Sequence, residues 1–167
     1  MKKSAFTLIE LLIVIALLGA LAVGLLAAVD PFEQLKKGRD TSTRNTAAEF
    51  FNAAIRYYSQ RSKFPWDVVT ELATGNATTL ANLSGSISEA IAAGELKADF
   101  YNLAGGSSNL ARINVYYPGS EQVIVCFQPE SKAFRNDKNT IYDSTGSQQA
   151  TNVCPNATST SCYICFK

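Results

Sequence analysis

The chain contains no histidine. Ser-His-Asp and Cys-His catalysis and every His-ligated metal site are therefore excluded. Charge is scarce as well: 17% of residues are charged and the formal net charge is +1. No bulk field of one sign draws the protein to nucleic acid or to an anionic membrane surface. No internal repeat or low-complexity tract stands out. The stretch Gly105-Gly106-Ser107-Ser108-Asn109 lacks a following Gly-Lys-Ser/Thr, so it is a loop and no phosphate cradle. No constellation for hydrolysis, phosphoryl transfer or hydride transfer is visible. The chain reads as a non-enzyme, with no cofactor expected.

What the chain does have is one long apolar run with a single carboxylate in it. The 167 residues allow one domain with a modest core plus an anchor. Leu11 to Val29 is 19 residues without a charge. With Phe6–Ile9 on its other side, the run reaches the roughly 20 helical residues needed to cross a hydrocarbon core. Glu10 interrupts it. A carboxylate there costs about 2.5–3.5 kcal/mol at mid-membrane and less near the interface. A residue kept at that cost is a functional candidate and needs a partner. No cation lies within helical reach on its C-terminal side, so the partner comes from the chain start or from another molecule. The plainer reading is a first-turn carboxylate complementing the helix dipole, which is worth about 0.3–1 kcal/mol.

The first residues, MKKSA, are basic. Lys2 and Lys3 stay cytoplasmic by the positive-inside rule, so the rest of the chain is exported. A secretory signal peptide cut after Ala28, at Leu26-Ala27-Ala28, is the rival reading. The length of the apolar run, the position of Glu10 and the pattern Phe6-Thr7-Leu8-Ile9-Glu10 all oppose it.

The segment KKSAFTLIELLIVIALLGALAVG resembles the N-terminus of type IV pilins and the related pseudopilins. The resemblance is strong over about the first 30 residues. It implies a cleaved leader, residues 1–5, cut between Ala5 and Phe6 by a prepilin peptidase, followed by N-methylation of the new Phe6 amine. Ala5 stands where the family usually has Gly, and a small residue still fits. The cut gives Phe6 a positive charge four residues before Glu10. An arriving subunit then pairs its Phe6 amine with a Glu10 already in the filament, which sets the axial register. Opposite charges attract strongly in low dielectric, and breaking such a buried pair is costly.

Past the membrane run, Asp30-Pro31-Phe32-Glu33 signals a helix start: an N-cap residue, Pro at the first position and Glu three residues on. Gly19 and Gly24 soften the upstream helix by about 1 kcal/mol each relative to Ala. One long helix, softened around residues 19–31 and running from Phe6 to about Arg61, would span about 80 Å. Two helices joined at Asp30-Pro31 is the alternative. In the resembling family this zone often unwinds.

Ala47, Phe51, Ala54, Ile55 and Tyr58 form one apolar face by spacing and are expected to pack on a sheet. Lys36, Lys37, Arg39, Asp40 and Arg44 read as a solvated or subunit-facing stretch. DNA binding, known for some pilins, is the weaker reading for it. Phe64-Pro65-Trp66 stops the helix. Residues 67–110 are rich in Ala, Thr, Ser, Asn and Gly and are expected to be a loop with a short helix over Ser86–Gly94, Gly94 being its C-cap. Arg112–Tyr117 and Gln122–Gln128 alternate as strands around the turn Pro118-Gly119. Further strands are expected through Ala133-Phe134-Arg135 and Cys162–Phe166.

The fold expected is α+β, a pilin fold: a long N-terminal helix, half apolar and half amphipathic, packed on a 3–4-stranded antiparallel sheet. Its regions are 1–5 leader, 6–30 transmembrane and filament-core helix, 31–63 amphipathic helix, 64–110 connecting loop, and 111–167 sheet with a disulfide-closed end.

Four cysteines behind an export segment read as two disulfides. Strand alternation favours Cys126–Cys165 and Cys154–Cys162, with all three connectivities still open. The resemblance agrees, since many pilins close a C-terminal loop with a disulfide. A redox or zinc reading of Cys162-Tyr163-Ile164-Cys165 lacks the strand–helix context such motifs need. Asp137, Asn139 and Asp143 are calcium candidates, as some pseudopilins carry such a site, although turn capping suits their spacing better. Asn76-Ala77-Thr78, Asn82-Leu83-Ser84 and Asn156-Ala157-Thr158 match the N-glycosylation pattern.

The functional expectation is a pilin: a single-pass inner-membrane precursor that polymerises into a type IV pilus-like extracellular filament, or fimbrium. Expected partners are other copies of itself, minor pilins, an inner-membrane assembly platform, the prepilin peptidase and, before assembly, lipid. The nearest alternative is a pseudopilin of a type II secretion or DNA-uptake system. An exported soluble binding domain and a membrane-tethered thiol oxidoreductase using Cys162 and Cys165 come after it.

Overall fold

The computed structural model describes residues 6–28, 30–119, 121–149, 154 and 162–167. It divides into two compact units, Met1–Leu35 and Lys36–Lys167. The first holds helix α1, Leu8–Ala28. Asp30 is not helical and a second helix starts at Pro31, so two helices replace the single long one. Asp30 caps the second: its Oδ1 accepts from Phe32 N at 3.1 Å and from Glu33 N at 3.3 Å. This satisfies N–H groups that a helix start otherwise leaves unpaired. Helix α2 runs Pro31–Arg61.

The second unit is mixed α+β. Helices α3 (Pro65–Val69), α4 (Ser84–Ala92), α5 (Phe100–Leu103), α6 (Gly106–Leu110) and α7 (Lys132–Arg135) surround a sheet of β1 (Asn76–Thr79), β2 (Ile113–Gly119), β3 (Gln122–Phe127) and β4 (Ile164–Phe166). The sheet is antiparallel, in the order β1-β2-β3-β4. This open antiparallel sheet, with an N-terminal apolar helix in the other unit, is consistent with a pilin fold.

Alternation decides which strand residues enter the core. Ile113, Val115, Val123, Val125 and Phe127 are buried on one face, with Phe50, Ala53 and Ala54 of α2 and with Trp66 in the same cluster. Gly119 closes the β2–β3 turn at φ 93, and a Cβ there would lie 2.7 Å from Thr74 Cγ2. Both facts require glycine. Gly94 follows α4 at φ 79, as a helix-ending glycine does.

Four expectations need correction. First, the buried face of α2 is Asp40, Thr43, Thr46, Ala47, Phe50, Ala53, Ala54 and Tyr57. It is rotated by about one residue from the apolar face read from spacing, because it includes polar residues that find partners inside. Second, Asp40 is fully buried rather than solvated. Its carboxylate accepts from Glu130 N (2.9 Å), Ser131 N (2.7 Å) and Arg112 Nη2 (3.2 Å). Third, residues 133–135 are helical. Ser131 caps α7 by accepting from Phe134 N at 3.4 Å, which starts a helical turn where a strand was expected. Fourth, β1 lies in the stretch read as loop, held by pairing Asn76–Thr79 with Tyr117–Asn114.

Candidate functional site

The N-terminal helix presents apolar side chains on every side. All its described large apolar residues are exposed, from 46% at Val14 to 81% at Leu8. Residues Leu8–Leu26 form a candidate membrane span with a mean hydropathy of 2.8, none of it buried. By length and composition it is able to cross a bilayer. Such a surface is tolerable only against lipid or against other apolar surfaces.

Glu10 is the only charged residue of that helix. Its Oε2 accepts from Thr7 N at 2.8 Å and from Thr7 Oγ1 at 2.7 Å. Glu10 N in turn approaches Thr7 Oγ1 at 3.3 Å. This is a reciprocal capping box, with Thr7 before the first turn and Glu10 at its third position. Glu10 therefore has a partner within its own chain. The reading from sequence missed Thr7 as that partner, although the Thr-x-x-Glu spacing was the signal for it. Phe6 is exposed and next to Thr7. The expected leader, with Ala5 at the expected cut, lies outside the described residues.

The cysteines lie in the other unit. Cys126 of β3 and Cys165 of β4 stand opposite each other in the ladder and are joined as a disulfide. It ties the last strand to the sheet across 39 positions of chain. The expected Cys154–Cys162 bond is not formed in this structure: both residues are buried and carry thiols. Cys154 Sγ donates to Thr140 O at 2.7 Å. Burial, and then the neighbouring Cys162 thiol, push the Cys154 thiol up to about 12. That holds the Cys154 thiol in its protonated form.

The calcium candidates serve turns. Asp137 Oδ1 accepts from Asn139 N at 2.9 Å. Asp143 Oδ1 accepts from Thr145 N at 2.8 Å and Ser147 N at 3.0 Å, and its Oδ2 accepts from Gln149 Nε2 at 3.0 Å. Burial pushes the Asp143 carboxyl up, but the Thr145, Ser147 and Gln149 hydrogen bonds outweigh it and hold the group below its ordinary value. Among the described residues no group of Cys, Asp or Glu is arranged to hold a metal ion. Of the glycosylation matches, Asn76 and Asn82 lie in β1 and in the short 3-10 turn after it, and Asn156 lies outside the described residues.

An exposed apolar helix headed by a lone capped carboxylate, with a separate α+β unit after it, fits the class of membrane-anchored precursors. The family model for the prokaryotic N-terminal methylation motif matches residues 1–26. The chain thus carries the prepilin-type leader and helix of type IV pilins and pseudopilins. No curated protein and no solved structure matches the chain.

Proposed function

We propose that the chain is a structural subunit that polymerises into a type IV pilus-like filament on the cell surface. The observation carrying this is the apolar helix Leu8–Ala28, whose described large side chains are exposed all round and whose only charge is Glu10. A prepilin peptidase removes residues 1–5 on the cytoplasmic side, and the new Phe6 amine is methylated and positively charged. The precursor is then held in the inner membrane by α1, with its head exported.

In the membrane the capping box supplies Glu10 with Thr7 donors, which lowers the cost of placing a carboxylate at that depth. In the filament the Phe6 amine of a neighbouring subunit takes over as its partner. An ion pair in low dielectric is stronger than hydrogen bonds from the uncharged Thr7 donors it replaces. Only one axial placement of the neighbour makes it, so it fixes the register. Minor pilins and an inner-membrane platform are the expected assembly partners. In the oxidising compartment Cys154 and Cys162 close a second disulfide beside Cys126–Cys165. The protein has no catalytic role in this scheme.

The test is filament formation by full-length wild type and Glu10→Ala in cells, seen by electron microscopy. Long filaments lost in Glu10→Ala are the expected result. Filaments unaffected by the change would remove Glu10 from the assembly. Short rods seen only with overexpression would assign the pseudopilin alternative.

A further inference from the structure

Three strand ends meet in one row of the sheet. Ile113 of β2 pairs with Phe127 of β3, and Phe127 pairs with Ile164 of β4. Arg112, Gln128 and Tyr163 therefore stand beside one another just past that row. With Asn114, Glu130 and Arg135 they line a cavity of about 360 Å³. Small-ligand sites run from roughly 300 to 1,000 Å³. The two guanidiniums are held without being saturated. Arg135 Nε donates to Pro129 O at 3.0 Å, and its terminal nitrogens make no hydrogen bond among the described residues. Arg112 Nη2 lies 3.2 Å from both Asp40 Oδ1 and Glu130 Oε1, which leaves its Nη1 and Nε uncommitted among the described residues. Glu130 is shared with Arg39, at 2.6 Å. In this cluster Arg39, Arg112 and Arg135 meet Asp40 and Glu130, so one positive charge is in excess. The remaining polar groups of the lining are neutral. Burial pushes the Tyr163 hydroxyl up, against a hydrogen bond that it accepts from Asn114, so its O–H stays available to donate.

We propose that this cavity takes a sugar acid of the hexuronate type, with its carboxylate on Arg135 and Arg112 and its hydroxyls against Asn114 and Tyr163. A guanidinium fork matches a planar carboxylate, and amide and phenol groups pair with hydroxyls that both donate and accept. The guanidiniums keep their present partners as they bind, because the donors used are those the chain leaves over. An excess of one charge suits a monoanion. A phosphate dianion would bring a second negative charge against Glu130 and Asp40. The cavity lies wholly within the unit Lys36–Lys167 and holds whether or not the chain polymerises, so it goes beyond the filament reading.

The test is calorimetric titration of the purified full chain in detergent with galacturonate, beside galactose, acetate and inorganic phosphate. Galacturonate should bind most tightly of the four, and added salt should weaken it. Arg135→Gln should weaken binding by about tenfold or more, and Arg135→Lys, which keeps the charge but loses the fork, should fall between. Glu130→Gln removes the competing carboxylate and should tighten binding roughly threefold, a gain that unfolding could not produce. The melting curve of Arg135→Gln should match wild type. No binding of galacturonate, equal binding of galactose or acetate, tighter binding of phosphate, or an Arg135→Gln titration identical to wild type would each overturn the site. None of these results bears on Glu10 or on filament formation.

Discussion

In the helix Leu8–Ala28 every described large apolar side chain is exposed, whereas in the unit Lys36–Lys167 Phe50, Trp66 and Phe127 are buried to 1% or less. The two regions also treat charge differently. Glu10 is exposed and capped by its own neighbour, Thr7. Asp40 is wholly buried and is served from positions 112, 130 and 131. One region is finished only by something outside the chain, and the other finishes itself. Mutations should therefore separate assembly from head stability.

The largest effect is expected at Asp40. Asp40→Ala leaves the backbone N–H groups of Glu130 and Ser131 without their acceptor and leaves Arg112 with only Glu130 of its two carboxylates, and should destabilise the head by about 3–5 kcal/mol. Arg39→Ala removes a pair with Glu130 whose Arg side chain is 56% exposed, and should cost about 0–1 kcal/mol. Thermal melting of the full chain in detergent measures both. Equal shifts would erase the contrast between buried and surface pairs.

Next comes Leu18→Arg in α1. It should oppose membrane insertion by about 2.5–3.5 kcal/mol and leave the melting of the head unchanged. Membrane fractionation beside the same melting curve reads both halves of that statement. A lowered melting point would mean that α1 helps to hold the head.

Removing the ladder disulfide with Cys126→Ala/Cys165→Ala should cost the head about 2–4 kcal/mol, since 39 positions of chain regain freedom in the unfolded state. Insertion should not change. The same fractionation and melting pair decides this.

The smallest effect is at Asp143. Its folded value lies below the ordinary 3.8, so its stabilising contribution is complete above 3.8 and is lost as pH falls through the lower folded value. The Thr145 and Ser147 amide NMR signals should titrate with a midpoint below 3.8, and Asp143→Asn should abolish the transition. A midpoint above 3.8 would contradict the hydrogen-bond account.

Local signals made much of this legible in the sequence. Asp30-Pro31 reads as a cap, Phe64-Pro65 as a stop and Gly94 as a helix end, because each depends on neighbours in the chain, whereas Pro118-Gly119, read as the turn, forms the end of β2. Features set by distant partners were not legible. β1, with sequence Asn-Ala-Thr-Thr, has little apolar pattern and is a strand because β2 pairs with it. Asp40 sits in a charged stretch that resembles solvated surface, and its burial depends on backbone 90 residues away. At the candidate site Glu10 stood out by cost alone. Its partner Thr7 is readable from the three-residue spacing, since a capping box depends only on neighbours in the chain.

The most direct test of the account is the N-terminal sequence and intact mass of the mature protein from cells that export it. A start at methylated Phe6, with a mass lowered by two disulfides, is the predicted result and places Glu10 at a filament core. A start near Val29 would mean that α1 is discarded as a secretion signal, and the assembly account would fail.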